Sequence, residues 1–490
     1  MKRKSLVPIN TNWLRYIIIT SVIVISALVG VPIIRSMRSD SSMIPTWLLL
    51  FMGALGAGFI ALLALRNMTV ALTLLVATSS LITVSISTGT NSPVNLTILM
   101  VVFLLGVWVL RMVVIERKIK FVPSPMNGPM ILFLIAICIS WFASYILGDW
   151  GAAIPSNAFQ VQAGQFAMFA LSFAAFFLVG NHRLSKDTLV KWNWIIIILG
   201  ILAIGSDILR VYPNPLPGVK GAMQMWPFVL IFGQLLFNPN LKRNYRIFGW
   251  LALIMWGYWA FLTPTVYTKG LWVPAFIAMG LLLAIRKFGF TILLGMLSLI
   301  ALLSSGYLRN LIVGELATGS SFRPLIWQDI INMTSHNPLL GLGPANYFYY
   351  WRILGNKSLT ALSIYQARGD LLGFQKIAIS SHNLFVDVYA QTGIIGLVFF
   401  VLVILLAVRF GWHLVQKLSP GFYQAHVYGV VAGFIAMALG SFWFADWLIP
   451  FVYNITINGF RHSVYTWLLL GTLVSINYFN LKDFDHGKSG

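Results

Sequence analysis

The sequence predicts an all-α, polytopic transmembrane helix bundle carrying one long outward-facing helical loop. Three observations lead there. Hydrophobic residues make up 59% of the 490 residues and charged residues only 9%, where a soluble domain carries about 25% charged residues. Mean hydropathy is +0.84. The apolar residues fall in repeated runs near the roughly 20 residues that cross a bilayer. A soluble enzyme, a disordered chain and a collagen-like fibre are excluded.

Fourteen runs qualify in order: 16–34, 44–65, 68–90, 94–110, 126–147, 161–180, 193–209, 222–237, 247–263, 270–285, 288–305, 390–408, 425–445 and 463–479. The first follows Lys2, Arg3 and Lys4, is long for a signal-peptide core and is read as an uncleaved span. Charge tests the count. With the N-terminus inside, 21 of the 33 Lys and Arg fall in inner segments and six in short outer loops. This is the positive-inside asymmetry, and it puts both termini in the cytoplasm. The net charge of +21 is therefore read as topology, and no nucleic-acid partner is expected. The single cysteine, Cys138, excludes an intrachain disulfide framework and a cysteine metal cluster.

The chain reads as one integral membrane domain, 1–490, interrupted by one long hydrophilic excursion, 306–389, on the outer side. A loop of that length is often functional. From Phe322 to Ser335, Ile326, Trp327, Ile330, Ile331 and Met333 share one helical face, and Gln328, Asp329 and Asn332 the other. Asn337-Pro338 and Gly341-Leu-Gly343-Pro344 then supply turn chemistry.

No phosphate-binding Gly-rich loop, dinucleotide fingerprint, nucleophile elbow or His-Glu-x-x-His motif is present. The outward acids form no close pair in sequence, so neither a two-carboxylate glycosidase nor a carboxylate metal site is indicated. The outer basic residues are more informative. Arg210, Lys220, Lys269, Arg323 and Arg461 sit at or near outer span ends, against the positive-inside tendency. Each could snorkel to headgroups. As a set they suit a converging anion site for phosphate or diphosphate, with Arg giving paired hydrogen bonds and Lys a point charge. His382 lies in Ser380-Ser381-His382-Asn383, at the opening of the span that follows. Ser380 or Ser381 is expected to cap that helix. The helix dipole would lower the histidine's pKa and keep it neutral and able to accept a proton. A capping or interfacial histidine is the alternative. His336 and His462 are its outer-side rivals, the first in a turn and the second beside Arg461.

His382-Asn383 followed by Gly393-Ile394 resembles the signature of the O-antigen ligase/polymerase superfamily, bacterial membrane proteins acting on lipid-linked glycans. Arg323-Pro-Leu-Ile-Trp327 with Asn337-Pro338-Leu-Leu-Gly341-Leu-Gly343-Pro344-Ala-Asn346-Tyr resembles its long outer loop. Tyr267-Thr268-Lys269-Gly270-Leu-Trp272 resembles its Ser-Arg-Gly span start. The resemblance is clearest over 262–400. It implies a glycosyltransferase in the bacterial cytoplasmic membrane, active on the outer face, moving a glycan from an undecaprenyl-diphosphate-type donor to an acceptor hydroxyl on a glycan, a lipid core or a protein. It implies an inverting reaction without metal or other cofactor, His382 and Arg323 as catalytic residues, and Lys269 as a diphosphate ligand. Arg210, Lys220 and Arg461 are looser candidates for the diphosphate. Two features depart from the family: Lys269 stands for an arginine, and fourteen spans exceed the family's roughly twelve, which makes the first two an addition. A lipid-linked glycan flippase is the competing reading. Transporters of that kind are often built from repeated halves, and no repeat is visible here.

Overall fold

The computed structural model describes residues 64–82, 85–86, 93–147, 158–209, 222–262, 272–304, 306, 323–347, 381–443, 447–452 and 459–480. Thirteen long helices lie among them. They are α1 (Met68–Leu81), α2 (Leu96–Leu110, continued by a π-helical turn, Arg111–Ile115), α3 (Asn127–Leu147), α4 (Ala158–Gly180), α5 (Lys186–Ile208), α6 (Ala222–Phe237) and α7 (Arg243–Leu262). They continue with α8 (Val273–Arg286), α9 (Phe288–Ser304), α10 (Arg323–Thr334), α11 (Leu384–Lys417), α12 (Phe422–Trp443) and α13 (Phe460–Ser475).

Every predicted run from 68 onward coincides with a helix; the first run, and the second but for its last two residues, lie outside the described residues. By length and apolarity alone, six of these helices are long enough to cross a membrane, and four shorter apolar helices accompany them. The run predicted to reach residue 90 stops early, at Leu81. Its continuation, β1 (Ser85–Ile86), pairs antiparallel with β2 (Val94–Asn95). Asn95 then caps α2, its side chain accepting from the Ile98 N–H.

The core is built where helices are apolar all round. α13 packs along α4, and α12 lies against α6, α8 and α11. Trp192, Trp226, Trp259 and Trp467 are fully buried there. The other faces of α3, α7 and α9 present Phe142, Ile146, Ile254 and Met296 outward, as lipid-facing helices do.

The helix predicted in the long outer loop is α10. Ile326, Ile330 and Met333 are buried, while Gln328 and Asn332 are exposed, as the periodicity requires. Ile331 departs from it: it is exposed rather than sharing the buried face. The buried stripe packs on α11 through Ala390 and Val386, so α10 lies against the bundle.

Candidate active site at the head of a broken helix

α11 is two helices in series. Gly393 has φ 62 and ψ −166, which breaks the helix one residue after Thr392. The chain 337–346 fills the break. Leu342 N–H donates to Ala390 O at 2.8 Å and Gly343 N–H to Gln391 O at 3.2 Å; from the other side, Ile394 N–H donates to Pro338 O at 2.9 Å. Backbone groups orphaned by the break are thus satisfied by the loop, as buried peptide groups must be. The approach is so close that only glycine fits. A Cβ on Gly393 would lie 2.2 Å from Leu339 O, and one on Gly341 2.5 Å from Gly393 N. The Gly-Leu-Gly segment, read from sequence as turn chemistry, is the lock that holds the outer loop to the helix break.

Side chains reinforce the lock. Gln391, buried in α11, accepts from the Ala345 N–H at 3.1 Å, and its carbonyl accepts from Ser140 Oγ of α3 at 2.6 Å. Asn346 donates to Leu342 O at 2.8 Å and accepts from Gln162 Nε2 of α4 at 2.5 Å. Gln162 Oε1 in turn accepts from Trp141 Nε1 at 2.8 Å and Tyr145 OH at 2.5 Å. Gln162 and Gln391 escaped the motif reading. The signal was there: an uncharged amide inside an apolar span is costly unless it bonds internally, and so marks a built site.

The short first segment of α11 aims His382. Asn383 is the N-cap, its Oδ1 accepting from Phe385 N at 3.0 Å and Val386 N at 3.2 Å. The expectation that Ser380 or Ser381 caps is corrected. Ser381 Oγ instead accepts from the Asn383 N–H at 2.9 Å, and Ser381 O accepts from Trp327 Nε1 of α10 at 2.8 Å. The polar pair Ser381 and Asn383 clamps the residue between them. His382 itself has φ 51, in the left-handed region, which costs about 1–3 kcal/mol for a residue with a Cβ and persists only where its surroundings enforce it. Trp327 and Phe385 both pack on Phe442 at the far end of α12, with ring centroids 5.8 Å and 6.1 Å apart.

Arg323, the first residue of α10, acts on this ring. Burial first, and the Arg323 charge second, hold the His382 pKa below its ordinary value. The direction expected from sequence stands, but its cause is desolvation and a cation rather than the helix dipole. Asp387 is fully buried in the first turn of the same helix, where a carboxylate suits the helix dipole.

The structure thus brings two sequence candidates together, Arg323 and His382. Arg461, at the start of α13, is half-buried and donates from Nε to His462 Nε2 at 3.2 Å. His462 in turn packs edge-on against Trp447, at 6.3 Å. The pair lies at the same end of the bundle as Phe442, because Trp447, which His462 touches, follows the end of α12 by only a few residues. Arg210, Lys220 and Lys269 lie outside the described residues. His336 is exposed in the turn after α10. At this end of the bundle, three buried polar atoms have no hydrogen-bond partner among the described residues: Asn383 Nδ2, Ser441 Oγ and Trp447 Nε1. Each can donate, the serine hydroxyl also accepting, and a buried donor left unpaired costs about 1–3 kcal/mol. Their common end of the bundle suits a ligand rich in acceptor oxygens.

These features define a class first: a multi-pass helical membrane protein in which a strained histidine and an arginine meet beside a helix break. Residues 245–401 match the family model described as O-Antigen ligase. The match supports the O-antigen ligase/polymerase superfamily, as the motifs implied, and hence a membrane glycan transferase of ligase or polymerase type. The matched stretch contains Lys269, Arg323 and His382 and leaves out Arg210, Lys220 and Arg461. No curated protein matches the chain significantly. One solved structure, titled "Structural coordination of polymerization and crosslinking by a peptidoglycan synthase complex", contains a chain similar to this one at 15% identity, covering 71% of this chain and 96% of that one. The TM-score of 0.40 is too low for any argument.

Proposed function

We propose that this protein transfers a glycan from an undecaprenyl-diphosphate-type lipid donor to an acceptor hydroxyl at the outer face of the bacterial cytoplasmic membrane, with inversion and without metal. The observation that carries the reading is the juxtaposition of Arg323 with a neutral, strained His382 beside a helix break.

The acceptor oxygen attacks the anomeric carbon while the bond from that carbon to the diphosphate oxygen breaks. The acceptor proton passes to His382, and the electron pair leaves with the diphosphate. Low pKa keeps the imidazole free to take that proton. Arg323 lies where negative charge grows on the leaving group, so it binds the transition state more tightly than the ground state. Lys269 is proposed as a second diphosphate ligand, with Arg210, Lys220 and Arg461 as further candidates. Lys269 gives a point charge rather than a paired contact. Direct attack, with no glycosyl-enzyme, gives inversion. A fourteen-span topology with both termini cytoplasmic fits the charge pattern and sets the active face outward.

The helix break is also a transporter device, so the test must separate the two. Purified protein in proteoliposomes, given lipid-diphosphate-linked oligosaccharide and acceptors with metal chelated, is expected to yield a larger glycan product. Movement of the donor between leaflets with no covalent product would make it a flippase.

A further inference from the structure

The opposite end of the bundle carries a second site. A cavity of about 260 Å³ lies between α5, α6, α7 and the first residue of α12, Phe422. Phe442 touches the His382 region from the other end of α12, so the two sites are separated by roughly 30 Å, the length of that helix at 1.5 Å per residue.

The cavity is amphipathic in a directional way. One wall is apolar, from Ile197, Ile231, Leu235 and Phe248. Two exposed lysines, Lys186 and Lys242, lie at the other edge, and among the described residues that line it there is no acid. Asp187 is the nearest acid in sequence; it is exposed and outside the lining. Part of the polar floor is already committed. Gln234 Nε2 donates to Phe422 O at 3.3 Å, Asn238 Nδ2 to Gln234 Oε1 at 2.8 Å, and the Asn240 N–H to Asn238 Oδ1 at 3.2 Å. Asn193 is different. Its Oδ1 lies 3.1 Å from His426 Nδ1, and its Nδ2, on a residue only 3% exposed, has no hydrogen-bond partner. A buried amide donor of this kind calls for an acceptor, a water or a ligand oxygen, in the cavity it lines.

We propose that this cavity binds the headgroup of an anionic phospholipid from the leaflet opposite the active site. The two lysines face the phosphate, Asn193 Nδ2 donates to a headgroup or ester oxygen, and the first methylenes of an acyl chain lie along the Ile197–Ile231 wall. Basic pockets between membrane helices take anionic lipids in this way. The volume lies just below the range of small-molecule sites, roughly 300–1,000 Å³, so it accepts a headgroup and the root of a chain, not a whole lipid. The site is independent of the glycan-transfer reading.

The test is native mass spectrometry of the full-length protein exchanged into mixed phosphatidylglycerol and phosphatidylcholine. Wild type is expected to retain phosphatidylglycerol about tenfold more than phosphatidylcholine, the discrimination of about 1.4 kcal/mol that two charge contacts supply. K186Q/K242Q, which changes only exposed side chains, is expected to lose that preference. Ile231→Trp, which fills the apolar wall and leaves both lysines, is expected to lose it too. Retention by both variants overturns the proposal. Retention by Ile231→Trp alone would mean a basic surface rather than this cavity, and also overturns it. Displacement of the lipid by inorganic phosphate at equal concentration would make it a free-anion site instead.

Discussion

Two histidines lie at opposite ends of one bundle, His426 buried and His382 half-buried. His426, in α12, is enclosed in regular helix. Both ring nitrogens are engaged, Nδ1 with Asn193 Oδ1 at 3.1 Å and Nε2 with Thr472 Oγ1 at 2.9 Å, and Phe422 stacks on the ring. His382 sits in left-handed backbone at a helix start, next to an arginine, and directly precedes Asn383, whose buried Nδ2 has no partner among the described residues. Both rings are withdrawn from solvent, His426 completely and His382 in part, and burial is not the difference that matters. Backbone strain, a helix break and an opposing cation distinguish them: His426 ties three helices together, whereas His382 is held ready.

The largest effect expected is on transfer. His382→Ala should lower the rate by about 10²–10⁴-fold, the usual contribution of a general base, while His426→Ala should leave the rate per folded molecule within a few fold. Rates from purified variants, normalised to folded protein, check this contrast. Arg323→Ala should cost about one to two orders of magnitude, one charge-assisted contact of roughly 1.5–3 kcal/mol; the rate of donor cleavage reads it.

Stability should run the other way. His426→Ala leaves Asn193 Oδ1 without its buried partner and Thr472 Oγ1 with Leu469 O alone, and should cost about 1–3 kcal/mol, seen as a lower thermal unfolding temperature in detergent. His382→Gly should cost nothing or stabilise slightly, because it relieves the left-handed strain. A stability loss at His382 equal to that at His426 would erase the distinction.

The lock offers a sharper cut. Gly393→Ala places a Cβ 2.2 Å from Leu339 O, so the loop and the helix break must separate. Transfer should fall at least tenfold although no charged group is touched, and limited proteolysis should cut the outer loop faster. Wild-type activity in that variant would show that the lock does not position His382.

The smallest effect expected is in the pH profile. The depressed His382 pKa keeps the ring neutral to below its ordinary value near 6.5. Activity should therefore fall on the acid side only below that value. Between the folded and ordinary values the unfolded chain binds a proton that the native one does not, so stability also declines as pH drops. Residual activity of Arg323→Gln should show its acid limb at higher pH, because one of the two causes of the depression is gone.

Much of this was legible in the sequence. Hydropathy located the helices because lipid demands long apolar runs, and the amphipathic stretch 322–335 gave α10 with one face nearly right. Arg323 and His382 stood out because charge and imidazole are rare in such a chain. The break at Gly393 was not legible as geometry. A glycine within an apolar run looks like any other, and its conformation depends on a loop some fifty residues upstream arriving in register. The cap was misplaced by two residues for a related reason: Ser381 and Asn383 are both good caps, and only the contact of Ser381 with Trp327 decides between them. Gln162 is conspicuous as an amide in an apolar span, but its partners were not legible, because Trp141 and Tyr145 lie on α3 and Asn346 in the loop after α10.

The most direct measurement is glycan transfer in proteoliposomes, metal chelated, comparing wild type, His382→Ala and His426→Ala at matched folded protein. The account predicts an elongated or ligated product from wild type and His426→Ala and almost none from His382→Ala. Equal product from all three, or none from any while the lipid-linked glycan changes leaflet, would contradict it.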